Sequence, residues 1–162
     1  MNNLVIRSIT GLLFGTVVIG SILWGPYIQT ATFSVFMLLG LLEFYRLFKN
    51  HPFLKISDEI GVLIGVFIFT LLVGISMKIL PILCISFIFP LFFTLVLFEL
   101  WKKEANPILN ISLLVFGIIY VVIPFYLAVD LNLRNTSYMP RVVGMFLLIW
   151  TNDTFAYLTG RL

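Results

Sequence analysis

The sequence is poor in charged residues and in cysteine. Charged residues fill only 10% of the 162 positions, whereas soluble domains average about 25%. Because 61% of the residues are hydrophobic, too few polar side chains remain to cover a water-facing surface. The one cysteine, Cys84, excludes an intrachain disulfide and offers no metal cluster. These absences exclude a soluble domain and indicate a membrane protein.

Several common catalytic motifs are also missing. The sequence has no glycine-rich phosphate loop of the Walker or dinucleotide type, no His-Glu-x-x-His and no Gly-x-Ser-x-Gly. The formal net charge is +3, but the charges stand in short clusters between apolar runs. That pattern is typical of membrane topology signals, and it excludes a nucleic-acid partner.

Six apolar runs follow one another, and they predict an all-α, polytopic membrane protein with about six transmembrane helices in a single domain over residues 1–162. A spanning helix needs about 20 apolar residues. Gly25-Pro26 and the Lys78/Pro81 pair separate neighbouring runs, which predicts two tight hairpins. Five spans with one re-entrant segment is the alternative. The runs are Ile9–Trp24, Tyr27–Leu42, Ile60–Met77, Ile79–Phe98, Ile108–Val129 and Val142–Leu158.

The lysines and arginines predict the orientation. With the N-terminus inside, seven of the ten basic residues lie on the cytoplasmic side and three lie outside, which the positive-inside rule favours. The cytoplasmic set is Arg7, Arg46, Lys49, Lys55, Lys102, Lys103 and Arg161. We therefore expect a multi-pass protein of the cell's inner (cytoplasmic) membrane, with the end of the sixth run on the cytoplasmic side.

The sixth run carries the one polar motif within the apolar segments. Residues four apart share a helix face, so Asp153, Tyr157 and Arg161 form one polar stripe. A neighbouring stripe is small, and its members are Asn152, Ala156 and Gly160. An ionisable side chain in a membrane span is costly and marks a functional site by default. Ionised Asp153 suits a divalent cation or an arginine, and Arg161 suits a phosphate.

A structural role for these residues stays open. Asp153 could pair with Arg161 or Arg141 only to fix helix packing. The hydroxyls of Thr151 and Thr154 can bond to preceding carbonyl groups of their own helix.

Three other residues, which lie within the apolar runs or at their ends, have simpler explanations. Glu43 and Glu99 each end an apolar run near the membrane surface, where we expect the carboxylate to reach water. Pro124 is expected to kink the fifth run.

The segment Ile149–Arg161 resembles the D-x-x-A-Y-x-x-G-[RK] segment of bacterial phosphatidate cytidylyltransferases, also called CDP-diacylglycerol synthases. The matching positions are Asp153, Ala156, Tyr157, Gly160 and Arg161. Two weaker similarities are Arg7-Ser8 before the first run and Glu43-Phe-Tyr-Arg-Leu47 after the second. The later segments of the family contain many Lys and Asp residues and a His-Gly-Gly run. These segments have no counterpart in the 162 residues. We therefore expect the 162 residues to be the N-terminal part of a longer enzyme and to be inactive alone.

The resemblance implies transfer of a cytidylyl group from CTP to phosphatidic acid, with Mg²⁺ as cofactor, in phospholipid biosynthesis. On this interpretation Asp153 is the catalytic and metal-binding residue, and Arg161, Tyr157 and Asn152 bind substrate. The partners are CTP, phosphatidic acid and membrane lipids, and the question of a homodimer stays open.

Two other functions remain as alternatives. One is a CTP-dependent lipid or polyprenol kinase, which uses similar substrates. The other is a small transporter in which Asp153 binds a cation or a proton. A purely structural membrane protein would leave Asp153 unexplained.

Overall fold

Helices make up all the regular structure of the described residues. The structure is a computed structural model that describes residues 3–49, 54–102, 104, 106–134 and 141–160, and no strand occurs among them. The all-α prediction is therefore confirmed. The elements in chain order are α1 (Asn3–Trp24), α2 (Pro26–Phe48), α3 (Asp58–Ser76), a 3₁₀ segment (Ile82–Phe87), α4 (Ile88–Trp101), α5 (Pro107–Gly117), a π-helical turn (Ile118–Val122), α6 (Ile123–Leu133) and α7 (Arg141–Thr159).

Each predicted run corresponds to one helical segment. Four of these segments are long and apolar enough to cross a membrane, namely Pro26–Phe48, Asp58–Ser76, Ile82–Trp101 and Pro107–Leu133. Among the described residues, the apolar part of the first helix is shorter and comprises Ile9–Trp24. The total of six spans and the orientation of the N-terminus thus stay predictions.

The chain divides into two compact units. The first unit comprises Met1–Thr32 and Leu131–Leu162, and the second comprises Phe33–Asp130. The boundary falls inside α2, so this helix contributes its first turns to the first unit and the rest to the second.

In the first unit, α1 and α2 are joined by a single residue, as the sequence predicts. Gly25 has a φ of 137°, a backbone conformation that side-chain-bearing residues rarely adopt. Pro26 then begins α2, where its missing N–H costs no hydrogen bond. One turn later, the buried side chain of Gln29 accepts a hydrogen bond of 2.5 Å from Asn132 Nδ2. Pairing of this kind lets a polar side chain be buried in an apolar helix.

The core of the second unit is built on one face of α2. Four residues spaced four apart, Phe33, Met37, Leu41 and Tyr45, are at most 1% exposed. Glycines on the facing helices make room for them: a Cβ added at Gly61 or Gly117 would lie 2.7 Å from the Tyr45 ring. The Tyr45 hydroxyl donates a hydrogen bond of 2.8 Å to the Leu114 carbonyl. Small residues therefore allow α3 and α5 to approach α2 closely.

The connection after α3 is a tight reversal, which agrees with the predicted hairpin. Lys78 adopts a φ of 60°, and its N–H donates to the Ile75 carbonyl at 3.0 Å. The N–H of Ile79 donates to the Gly74 carbonyl at 2.9 Å. These two bonds form a Schellman motif, in which a left-handed residue ends the helix. Pro81 then precedes the 3₁₀ segment Ile82–Phe87, which leads into α4.

The fifth run contains a π-helical turn at Ile118–Val122, which ends two residues before Pro124. The N–H of Ile123 donates to the Ile118 carbonyl, five residues back. Proline cannot donate to the carbonyl four residues back, and a wider turn relieves that loss. The structure thus shows a π-turn one turn before Pro124, and the predicted kink at Pro124 stays a prediction.

Candidate functional site

The polar motif of the last run lies on one regular helix. Helix α7 places Asp153 and Tyr157 four residues apart, and both side chains are exposed. Thr151 donates to the Leu147 carbonyl and Thr154 donates to the Trp150 carbonyl at 2.7 Å. The prediction that these hydroxyls bond to their own helix is confirmed, so neither hydroxyl proton is left to donate to a ligand.

A groove between α1 and α7 receives the Asp153 side chain. Its volume is about 790 Å³, within the range of ligand pockets. Trp150 and Thr154 line it beside Asp153. Helix α1 contributes the remaining lining residues, which are Gly11, Leu12, Phe14, Gly15, Thr16, Ile19, Gly20 and Leu23.

The glycines of α1 determine the shape of this groove. A Cβ added at Gly15 would lie 3.2 Å from Cη2 of Trp150, so Gly15 lets the indole pack closely on α1. A Cβ added at Gly11 or Gly20 would have no atom of the described residues within 4 Å. These residues were not predicted from the sequence to line a site, although Gly11 and Gly15 have the Gly-x-x-x-Gly spacing that indicates close approach of helices.

The side chain of Asp153 has no hydrogen bond or ion pair with any residue in the described part of the chain. Its proposed pairing with Arg141 is not present. Arg161 lies outside the described residues, so its predicted phosphate contact and its pairing with Asp153 stay predictions. Asn152 and Tyr157 are exposed on α7 but do not line the groove. The structure therefore brings together Asp153, Trp150 and the glycines, and not the whole predicted substrate set.

The donor set around Asp153 suits a cation that brings its own ligands. No group of three or more His, Cys, Asp or Glu residues that could hold a metal occurs among the described residues. Mg²⁺, however, is commonly held by one or two carboxylates together with water and substrate phosphates. A single accessible carboxylate with no protein partner in the described residues fits that mode of binding.

The second unit has a polar cluster of its own, where the ends of α2 and α4 meet the starts of α3 and α5. Lys49 Nζ lies 3.0 Å from Asp58 Oδ2, and Lys55 Nζ lies 3.1 Å from Glu104 Oε2. The buried Asn110 side chain bonds to both the N–H and the carbonyl of Lys55, at 3.4 and 3.3 Å. We call this cluster, together with Ser57, Glu99 and Lys102, the polar end.

Glu99 is the buried centre of the polar end. The Ser57 hydroxyl donates to Glu99 Oε1 at 2.7 Å, and Lys102 Nζ lies 3.4 Å from the same oxygen. Glu99 is 0% exposed, and its Oε2 has no hydrogen-bond partner among the described residues. The expectation that this carboxylate reaches water was wrong. Ser57, which makes the shorter of its two contacts, lies in a connection 42 residues earlier, so the position of Glu99 at the end of a run could not reveal this contact.

The exposed side chain of Glu43 agrees with the prediction that its carboxylate reaches water. In the same short motif, Tyr45 is the buried residue that the sequence analysis overlooked.

The comparison with known families decides the classification. The sequence matches the cytidylyltransferase family over residues 5–162. The chain belongs to the cytidylyltransferase family. This is the family of the CDP-diacylglycerol synthases, so the resemblance carried by the α7 motif is confirmed at that level. No curated protein and no solved structure matches the chain.

Membership of the cytidylyltransferase family supports a CTP-utilising transferase of the nucleotidyltransferase type. The apolar helices agree with the membrane location of this family. The predictions of a transferase and of a membrane protein are therefore confirmed at this level.

Proposed function

We propose that this cytidylyltransferase makes CDP-diacylglycerol from CTP and phosphatidic acid in the inner membrane. A phosphate oxygen of phosphatidate attacks the α-phosphorus of CTP, and a new phosphorus–oxygen bond forms. The bond between the α-phosphorus and the oxygen that bridges to the β-phosphorus breaks, so pyrophosphate leaves with that electron pair. Atoms and charge balance without an oxidant, a reductant or a further reactant.

The family match over residues 5–162 carries this proposal. The residues of the α7 motif support it, because Asp153 is accessible, ionisable and positioned in a groove of ligand size. A carboxylate that only fixed helix packing would pair with a cation, and Asp153 does not pair with Arg141, the one of its two candidate partners that lies among the described residues.

The side chains of α7 take distinct roles in this proposal. Asp153 would hold Mg²⁺, and substrate phosphates would supply further ligands. The metal ion would neutralise the charge that builds up on those oxygens during transfer. Asn152 and Tyr157 are exposed beside Asp153 and can donate hydrogen bonds to the bound nucleotide or lipid. Arg161 contributes a guanidinium that suits a phosphate.

Product analysis tests this function and separates it from its alternatives. The full-length protein, purified in detergent micelles, is given CTP labelled on the α-phosphate, phosphatidic acid and Mg²⁺. We expect the label to enter the lipid and pyrophosphate to be released in equal amount. A parallel reaction contains diacylglycerol or a polyprenol, which offers the hydroxyl group that a kinase phosphorylates; release of labelled CDP with an unlabelled lipid phosphate there would identify a lipid or polyprenol kinase instead. If no lipid product forms, but cations or protons cross the membrane of proteoliposomes that contain the protein, the transporter alternative is correct.

A further inference from the structure

The groove beside Asp153 is lined unequally by its two helices. Helix α7 contributes residues from Trp150 to Thr154, a rise of about 6 Å at 1.5 Å per residue. Helix α1 contributes residues from Gly11 to Leu23, a rise of about 18 Å on the same scale. Most of the length of the groove is therefore lined by α1 alone, and only the part beside α7 contains a charged group.

The long part of the groove is apolar and open. Ile19 and Leu23 line it with hydrocarbon side chains, and a Cβ added at Gly20 would have no atom within 4 Å in the part of the chain that the structure describes. A leaflet of a bilayer is about 15 Å of hydrocarbon, half of the whole core. The groove is thus about as long as one leaflet is thick. Its part beside α7 contains a carboxylate, and the rest of its surface is apolar. An amphiphilic lipid has the same arrangement of polar and apolar parts.

We infer that the α1–α7 groove binds an acyl chain of the acidic phospholipid substrate, with the lipid phosphate held near Asp153. This inference rests on the proposed function, which supplies the divalent cation needed between two anionic groups. The chain lies along Ile19 and Leu23, above the open face of Gly20. Gly20 is thereby a specificity-determining position for chain length, because any side chain there occupies the space of the hydrocarbon.

A helix from a second copy of the protein is the competing occupant, since Gly11 and Gly15 have the spacing of a dimerisation motif. The position of Asp153 argues against it. A helix packed over the groove would take this carboxylate out of water with no partner in the described residues, which is costly in a membrane. A lipid headgroup keeps the carboxylate hydrated and brings a cation to it.

Substitution of Gly20 by leucine tests the inference, and Gly144→Leu is the matched control. Gly144 lies on α7 outside the groove, and a Cβ there also meets nothing within 4 Å. In the full-length enzyme we expect Gly20→Leu to raise the KM for dioleoyl phosphatidate about tenfold, because several methylene groups lose their apolar contacts. The KM for dihexanoyl phosphatidate, the KM for CTP and kcat should stay close to those of Gly144→Leu. Equal effects on long and short chains, or none on either, would overturn the inference.

Photocrosslinking gives a readout that needs no turnover. A phosphatidate with a diazirine at the distal end of one acyl chain should label the α1 peptide that contains Ile19 and Leu23, and Gly20→Leu should abolish that label. Labelling without cytidylyl transfer would contradict the proposed function and leave the groove assignment intact. Absence of the label, with a dimer that Gly20→Leu dissociates, would show that a second copy fills the groove.

Discussion

Asp153 in the first unit and Glu99 in the second unit are each the single carboxylate of their helix, and their surroundings are opposite. Asp153 is exposed in a groove and has no partner among the described residues. Glu99 is 0% exposed, and Ser57 and Lys102 both contact its Oε1. A buried acid with neighbours from two elements fixes the packing of those elements. An accessible acid without them remains available for a ligand.

The glycines of the two units differ in the same way. Tyr45 fills the space beside Gly61 and Gly117, whereas no described residue fills the space beside Gly11 and Gly20. The second unit therefore uses its small residues for close packing within itself. The first unit uses the same residue type to leave a groove open. Small residues in a membrane helix thus indicate a close approach, and only the neighbouring side chains show what approaches.

The largest expected effect of a substitution concerns Asp153. Asp153→Asn keeps the shape of the side chain and removes its charge, so turnover in the full-length enzyme should fall at least about a hundredfold. Glu99→Gln removes the other carboxylate and should leave turnover close to that of the unsubstituted enzyme. Initial rates of CDP-diacylglycerol formation over a range of Mg²⁺ concentrations measure both. Full activity of Asp153→Asn at saturating Mg²⁺ would remove Asp153 from the site.

The glycines should differ in their effect on stability. A Cβ at Gly61 would lie 2.7 Å from the Tyr45 ring and from Leu114 Cδ2, so Gly61→Ala should lower the free energy of unfolding by about 3 kcal/mol. Gly11→Ala meets open space and should be neutral or stabilising by up to about 1 kcal/mol, because alanine favours helix. Denaturant unfolding in detergent micelles, followed by circular dichroism, compares the two. Similar losses for both variants would mean that the groove is closed in solution.

The smallest of these effects concerns the polar end. Ser57→Ala removes the shorter contact of the buried Glu99 carboxylate and should lower the free energy of unfolding by about 1 to 2 kcal/mol. The control is Ser112→Ala, since the exposed Ser112 hydroxyl bonds only to the Ile108 carbonyl of its own helix. That variant should lose less than about 0.5 kcal/mol. In a Glu99→Gln background the effect of Ser57→Ala should shrink, and an unchanged effect would show that the two side chains act independently.

The sequence predicted the helices well because each helix depends mainly on local residues. The apolar runs, the Gly25-Pro26 break and the reversal at Lys78 all appear where the sequence places them. The α7 stripe was likewise predictable, since Asp153 and Tyr157 are four residues apart on one helix. Within that stripe, Arg161 lies outside the described residues.

The surroundings of these residues were not predictable from local sequence. Glu99 was expected to reach water, but Ser57, which lies in a connection 42 residues earlier, contacts it. Tyr45 looked like part of a short motif, yet its ring is enclosed by glycines of two other helices. The groove wall on α1 was missed for the same reason. Which faces meet depends on contacts between distant segments, and single-helix periodicity carries no information about them.

The π-turn at Ile118–Val122 has a geometric consequence for the second unit. It separates Leu114 and Gly117, which meet Tyr45, from Tyr126 and Asp130, which both contact Ser76 Oγ. A π-turn accommodates one more residue than an α-turn, and each helical residue advances the rotation by about 100°. The π-turn therefore sets the rotation about the helix axis between two contact surfaces of one continuous helix. The surface before the turn meets α2, and the surface after it meets the end of α3.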